Sequence, residues 1–209
     1  MAKLLYIEAS PRKDRSRSIR VARAFLAAHQ KSHPNDSVET LDLWATTLPP
    51  FHGPTIEAKY AILQGESHTP EQAQAWKSVV DVIEHFKSAD KYLFSLPMWN
   101  FGVPYVLKHY IDVLIQPGLT FSFDPATGYK GLVTGRKAVA IYARGGAYAP
   151  GTGMEDYDLQ SKTIAGIFGF IGITDLVNIF VEPTLGPAEV TEAGLAKAEE
   201  LAVSTAKSF

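Results

Sequence analysis

Near the start of the chain, several residues have hydroxyl or basic side chains that could bind a ligand. Ser10, Ser16 and Ser18 surround the predicted beginning of a helix, and Arg17 lies between the last two serines. Unpaired N–H groups at a helix N-terminus, together with serine hydroxyls, can bind a phosphate monoester. The segment has neither a G-x-G-x-x-G nor a G-x-x-x-x-G-K-[ST] pattern, so it predicts no dinucleotide fingerprint or nucleoside-triphosphate loop. Alternatively, Ser16 or Ser18 only caps the helix, and the basic run 12–17 is a solvated surface.

A second segment combines two large aromatic residues with a methionine between prolines. Met98, Trp99, Asn100 and Phe101 follow a predicted buried strand. Trp99 and Phe101 could flank a flat heteroaromatic ring, and the backbone N–H groups of Asn100 and Phe101 could donate to its nitrogens. The alternative is an aromatic cluster that packs against the following helix.

A third segment follows the fourth predicted strand and contains Ala143, Arg144, Gly145 and Gly146. Paired glycines let the backbone approach a ligand closely, although they also form ordinary turns. Together the three segments could bind a phosphate group, pack aromatic side chains against a flat ring, and bring the backbone close to the edge of that ring. This combination fits a flavin mononucleotide (FMN).

The elements that must position these segments are five short strands that alternate with helices. The strands are predicted at residues 3–8, 38–43, 91–96, 137–143 and 177–181. Such alternation indicates an α/β fold with a parallel sheet and helices on both faces. Five strands favour a flavodoxin-like, doubly wound sheet of order 2-1-3-4-5, in which ligands lie at the carboxyl ends of the strands. No linker divides the chain, so residues 1–209 form one predicted domain.

The helices are predicted from apolar periodicity and capping residues. The first ends at His33, before a proline, and Thr69 with Gln72 forms a capping box for the second. Further helices are expected at 106–115, at about 158–170 and from about 189. The connection after the second strand, with His52 and Tyr60, and residues 118–129 are predicted to be loops.

Composition excludes several classes of protein. The 209 residues carry a net charge of −2 and no cysteine, which removes thiolate catalysis, disulfides and cysteine-based metal sites and makes nucleic acid an unlikely partner. His29 and His33 lack further ligands in a metal-binding pattern, so no metal is predicted. No signal peptide is expected, because the N-terminal apolar run is short, and the uncharged apolar stretch 163–174 is shorter than the roughly 20 residues of a membrane span. A cytoplasmic protein without a membrane partner is expected.

Six segments carry a resemblance to a known family. They are Ser10 with residues 16–18, then 98–101, 107–112, 131–137, 144–146 and 169–175. This sequence resembles the FMN-dependent NADH-azoreductases, also described as NADH:quinone oxidoreductases, over nearly its whole length. The resemblance implies a flavodoxin-like fold and a homodimer with two FMN sites at its interface. It also implies two-electron reduction of azo compounds and quinones by NADH, in a ping-pong order, with NADPH as an alternative donor.

The resemblance also implies site residues. The cofactor-binding residues would be Ser10, Ser16, Arg17, Ser18, Met98, Trp99, Asn100, Phe101, Ala143, Arg144, Gly145 and Gly146. Phe121, Phe123 and Phe170 would be walls of the substrate pocket, some of them contributed by the partner subunit. Ala143 replaces a serine that is usual in the family, and Trp99 replaces a common tyrosine. Hydride chemistry on FMN demands no catalytic side chain. The competing functions are a flavodoxin-type electron carrier and a nitro or flavin reductase.

Overall fold

The central element of the fold is a parallel five-stranded sheet, seen in a computed structural model that describes residues 1–209. Its strands lie in the order β2-β1-β3-β6-β7, and all neighbours run parallel. Counted along the chain without the separate hairpin, this is the predicted flavodoxin-like order 2-1-3-4-5. The strands are β1 (Lys3–Glu8), β2 (Ser37–Asp42), β3 (Lys91–Pro97), β4 (Phe121–Asp124), β5 (Gly128–Gly131), β6 (Lys137–Ala143) and β7 (Asp175–Val181).

Six α-helices connect and cover these strands. They are α1 (Arg17–Ser32), α2 (Pro54–Gln64), α3 (Pro70–Lys87), α4 (Tyr105–Leu114), α5 (Leu159–Ile171) and α6 (Ala188–Ala206). Short 3-10 helices occupy Lys13–Arg15 and Glu155–Tyr157. The capping box that was predicted from Thr69 and Gln72 is present at the start of α3. None of the helices is both long and apolar enough to cross a membrane.

Both faces of the sheet are buried, which explains the continuous apolar runs of its strands. Successive strand residues point to opposite faces. Thus Leu4 and Tyr6 of β1 belong to a core cluster with residues of α1 and α6. Leu5 and Ile7 belong to a second cluster with residues of α3, α4 and α5. The helices therefore fix the sheet from both sides and leave the carboxyl ends of the strands free to carry loops.

Two segments differ from the sequence-based expectation. The expected loop around Tyr60 is helix α2, which begins at Pro54, ends at Gln64 and is followed by Gly65, a left-handed residue with φ 71°. Proline at a helix start and glycine after its end are boundary signals of a helix, but both residues are also common in loops. The expected loop 118–129 contains strand β4, which pairs with β5 as an antiparallel hairpin. His52 itself lies outside helix α2, as expected.

Candidate active site

A groove at the carboxyl end of the sheet brings the three singled-out segments together. Its volume is about 230 Å³. It lies where β1, β3, β6 and β7 end, so each strand delivers one stretch of its wall. The lining residues are Ser10, Arg12, Ser16, Arg17, Pro97, Met98, Trp99, Ala143, Gly145, Thr184 and Leu185.

Ser10 and Ser16 form a polar end of the groove, whereas Ser18 is fully buried and lies outside its lining. Ser10 is 1% exposed, and its hydroxyl has no hydrogen-bond partner in the chain. The Ser16 Oγ accepts from the amide of Ile19 at 3.3 Å and lies 3.2 Å from the hydroxyl of buried Ser18. Ser16 therefore caps α1, as the alternative interpretation held, and also lines the groove. The amides of residues 17 and 18 donate no hydrogen bond within the chain.

The segment 98–101 forms a tight turn beside the groove. The amide of Trp99 donates to the carbonyl of Gly102 at 3.1 Å, and the amide of Gly102 donates back at 2.9 Å. The two residues between them, Asn100 and Phe101, have φ of 47° and 68°, the pattern of a type I′ turn. A left-handed phenylalanine costs about 1–3 kcal/mol. The turn leaves the amides of Asn100 and Phe101 without partners in the chain.

The aromatic rings of this turn separate to its two sides. Trp99 packs near Trp44 and Tyr105, with ring centroids 5.8 and 6.1 Å away. Phe101 packs near Tyr157, at 5.1 Å. The predicted alternative, an aromatic cluster that includes the next helix, is thus partly present, since Tyr105 begins α4. Trp99 nevertheless lines the groove and is 37% exposed.

The third segment borders the groove through its backbone. Ala143 accepts from the amide of Met98 at 2.8 Å, which ties the second segment to the third. Arg144 is predicted to contact a cofactor, yet its side chain is only 1% exposed and is not part of the groove lining. Gly145 lines the groove, whereas Gly146 does not. Any contact from Arg144 must therefore come from its main chain.

The Arg144 guanidinium lies inside a polar network behind the groove. It donates to Asp158 at 2.9 and 3.0 Å and to Glu182 at 3.3 Å, and its Nε donates to Gln160 at 3.2 Å. Its carbon Cζ lies 4.2 Å from the ring centroid of Phe180. Burial alone would raise the pKa of Asp158. The hydrogen bonds from Ser161 and the charge of Arg144 have the larger combined effect, so the pKa of Asp158 lies below its ordinary value. The network joins the loop after β6 to α5 and to the end of β7.

A second, wider cavity adjoins the groove and shares Trp99 with it. Its volume is about 800 Å³. His109 in its wall is 2.9 Å from the carbonyl of Pro49, and Lys108 pairs with Asp112 at 2.5 Å. His52, which is predicted to lie in a surface loop, lines this cavity. The lining residues are Pro50, Phe51, His52, Trp99, Asn100, Val103, Tyr105, Lys108, His109 and Asp112.

The three predicted substrate-pocket phenylalanines lie elsewhere in this chain. Phe121 and Phe170 are 4.7 Å apart, and Phe123 is 4.9 Å from Tyr129, measured between ring centroids. None of the three lines either cavity. They form an aromatic surface cluster over the β4–β5 hairpin and α5. No group of three or more histidine, aspartate or glutamate side chains is placed to hold a metal ion.

Two residues of the groove wall, Thr184 and Leu185, are not among the predicted site residues. They directly follow β7, so the rule that ligands lie at the carboxyl ends of parallel strands would have indicated them. The amide of Thr184 donates to the carbonyl of Arg144 at 2.8 Å, and the amide of Leu185 donates to that of Gly145 at 3.2 Å. These hydrogen bonds hold Thr184 and Leu185 against the loop 143–146 that follows β6.

Comparisons with known proteins give the same picture of the whole chain. A family model described as a flavodoxin-like fold matches residues 2–204. An FMN-dependent NADH:quinone oxidoreductase of Desulfotalea psychrophila is 48% identical over 99% of this chain and 97% of that protein. One from Nitratidesulfovibrio vulgaris is 48% identical over the full length of both.

Solved structures agree with these relatives. The azoreductase from Bacillus anthracis superposes with a TM-score of 0.91 at 32% identity, over 100% of both chains. An FMN-dependent NADH-azoreductase from the same species, solved in complex with FMN, has a TM-score of 0.85 at 30% identity, over 99% of this chain and 100% of that one. The chain therefore belongs to the flavodoxin-like family of FMN-dependent NADH:quinone oxidoreductases.

Proposed function

We propose that this chain binds FMN in the groove and transfers two electrons from NADH to quinones and azo compounds. The observation that carries the proposal is the polar, serine-lined end of the groove, which is continuous with an aromatic and backbone-lined end. The relatives named for this activity are 48% identical over essentially the whole chain. A structural neighbour at 30% identity was solved with FMN.

The polar end fits a phosphate monoester. The hydroxyl of Ser10 is buried and has no partner, and a buried donor without a partner costs about 1–3 kcal/mol. The amides of residues 17 and 18 are unpaired at the start of α1, where the helix dipole favours an anion. A phosphate placed here would satisfy both features, so the residues present fit FMN.

The other end fits the flat ring system. Trp99 and Met98 line the groove with apolar surface. Asn100 lines the adjoining cavity and Phe101 lines neither, but their free amides are hydrogen-bond donors in the turn beside the groove. Ala143 and Gly145 provide a backbone edge without bulky side chains. These groups would hold and orient the ring and exclude water from one of its sides.

FMN, when bound, supplies the hydride chemistry of the reaction. The only charged side chains in the groove lining are Arg12 and Arg17, and arginine does not act as a proton donor near neutral pH. The role of the chain is therefore to bind, orient and shield rather than to transfer protons. We expect NADH and the acceptor to react in turn, in a ping-pong order.

We further propose that two copies of the chain associate and that the protein works in the cytoplasm. In support of association, the aromatic cluster over the hairpin includes Phe123 and Tyr129, which are 59% and 65% exposed. Large exposed apolar patches are typical of interaction surfaces. In this association, some of the residues Phe121, Phe123 and Phe170 of one copy would contribute to the substrate pocket of the other. The absence of cysteine is compatible with a reducing compartment.

A flavin titration tests the proposed site. We expect the apoprotein to bind FMN, and Ser10→Ala to weaken FMN binding by about tenfold because one hydrogen bond to a charged group is lost. The ligand-free protein should not be destabilised and should gain up to about 1–3 kcal/mol, since the substitution removes a buried hydroxyl that has no partner there. Ser208→Ala, at the far end of the chain, is a matched control that should bind FMN normally. Failure of the wild-type apoprotein to bind FMN would refute the proposal.

A further inference from the structure

Arg12 is the one basic residue of the run 12–17 that both lines the groove and lacks a charged partner. Neighbouring Lys13 lies 2.7 Å from a carboxylate oxygen of Glu8 and 2.6 Å from one of Asp42. Arg17 reaches across to α6, where it donates to a backbone carbonyl at 3.0 Å and to a glutamate at 3.1 Å. Arg12 has no ion pair and no side-chain hydrogen bond, although it lines the groove.

The backbone beyond Arg12 is held in an unusual conformation. Lys13 has φ 47°, a left-handed value that is uncommon for a residue other than glycine. Its two ion pairs thus hold Lys13 against the ends of β1 and β2, whereas Arg12 lines the groove.

The groove has an uncompensated positive charge at its polar end. None of its lining residues is acidic. Since Glu192 offsets the charge of Arg17, the free positive charge belongs to Arg12. The hydroxyls and amides of the polar end supply hydrogen bonds but no formal charge. A phosphate monoester carries nearly two negative charges at neutral pH, so these neutral donors alone leave its charge unbalanced.

We propose that Arg12 binds the phosphate group of the ligand and determines the preference of this protein for phosphorylated over unphosphorylated flavin. This inference rests on the proposed function, because it places FMN in the groove. A guanidinium binds phosphate oxygens through strong, charge-assisted hydrogen bonds. Riboflavin has the same ring system without the phosphate, so it reports on the ring contacts alone.

The test compares the dissociation constants of FMN and riboflavin, measured by flavin fluorescence, for the wild type, Arg12→Gln and Arg15→Gln. Arg15 is a matched control because it is also exposed and unpaired but lies outside the groove lining. We expect Arg12→Gln to weaken FMN binding about tenfold, which corresponds to about 1.4 kcal/mol, and to leave riboflavin binding unchanged. Arg15→Gln should change neither constant. FMN binding by the wild type should also fall more steeply with added salt than binding by Arg12→Gln.

The outcomes separate this inference from the proposed function. If the wild type prefers FMN and Arg12→Gln keeps the full preference, the inference is overturned while the proposed function stands. An equal loss in Arg15→Gln would also overturn it, since the effect would then be a general one of net charge. If the wild type binds neither flavin, both proposals fall. Because Arg12 is exposed and has no partners, thermal unfolding of Arg12→Gln should match that of the wild type.

Discussion

Replacement of Arg144 by methionine should destabilise the protein strongly, although the residue does not line the groove. The substitution removes the cation from a network in which the side chains of Asp158 and Glu182 are each only 12% exposed. Asp158 would keep its bond from the amide of Ser161 at 2.9 Å. Glu182 would keep only a 3.4 Å contact with the amide of Tyr148. Two nearly buried carboxylates would thus lose their counter-charge.

Loss of one partner from a buried ion pair costs about 3–5 kcal/mol, because the remaining charge stays buried. With a urea dependence of about 2 kcal/mol per molar for a domain of this size, the unfolding midpoint should drop by about 2 M. The unfolding midpoint of Arg144→Lys should lie between those of the wild type and Arg144→Met, since lysine keeps the charge but not the planar, multiple hydrogen-bond donors of arginine. Lys77→Met, which breaks an exposed pair with Asp81, should cost less than about 1 kcal/mol.

The pH dependence of the stability that Arg144→Met loses gives a second measurement. Burial raises the pKa of Asp158, but the hydrogen bonds from Ser161, together with the charge and the hydrogen bond of Arg144, hold it below its ordinary value. The wild type therefore gains stability from Asp158 at neutral pH and loses it as the pH falls through that lowered pKa. Without Arg144 the carboxyl is protonated at higher pH, so the difference between the two proteins should shrink toward acid. Urea unfolding at several pH values measures this. A loss below about 1 kcal/mol at neutral pH, or one that does not shrink in acid, would refute the reasoning.

Two further predictions concern packing and pH. Gly131→Ala should destabilise the protein, because a Cβ there would lie 2.3 Å from the backbone of Ile171 and of Gly172. Gly166→Ala has open space around it and should stabilise the protein by up to about 1 kcal/mol. Thermal unfolding of the two variants and the wild type measures both effects. Burial lowers the pKa of His29, so the folded state favours the neutral ring, and the free energy of unfolding should fall as the pH drops below about 6.5. His29→Phe should remove this part of the pH dependence, and an unchanged profile in urea unfolding would contradict the assignment.

The sheet was predictable because its strands are short apolar runs that are buried on both faces. Observed strand bounds such as Lys3–Glu8 and Lys137–Ala143 equal the predicted ones. The capping box at α3 was predictable for a local reason as well, since its hydrogen bonds join residues three apart. Helix α2 was missed because its boundary signals, a proline and two glycines, also occur in loops.

The site was predictable only as far as the topology positions it. The segments 10–18, 98–101 and 143–146 meet because each follows the carboxyl end of a strand in one sheet. The direction of an individual side chain depends on distant partners. Arg144 turns away from the groove because its partners come from α5 and from the end of β7. Likewise, the sequence does not reveal which basic side chains of the run 12–17 lack an ion pair.

The most direct test of the proposed activity is to follow the flavin absorbance of the FMN-loaded protein without oxygen. Addition of NADH should bleach the yellow colour rapidly, and subsequent addition of a quinone should restore it, with parallel lines in steady-state double-reciprocal plots. Slow or absent bleaching by free NADH, with normal FMN binding, would contradict the account and favour an electron carrier that exchanges electrons with proteins.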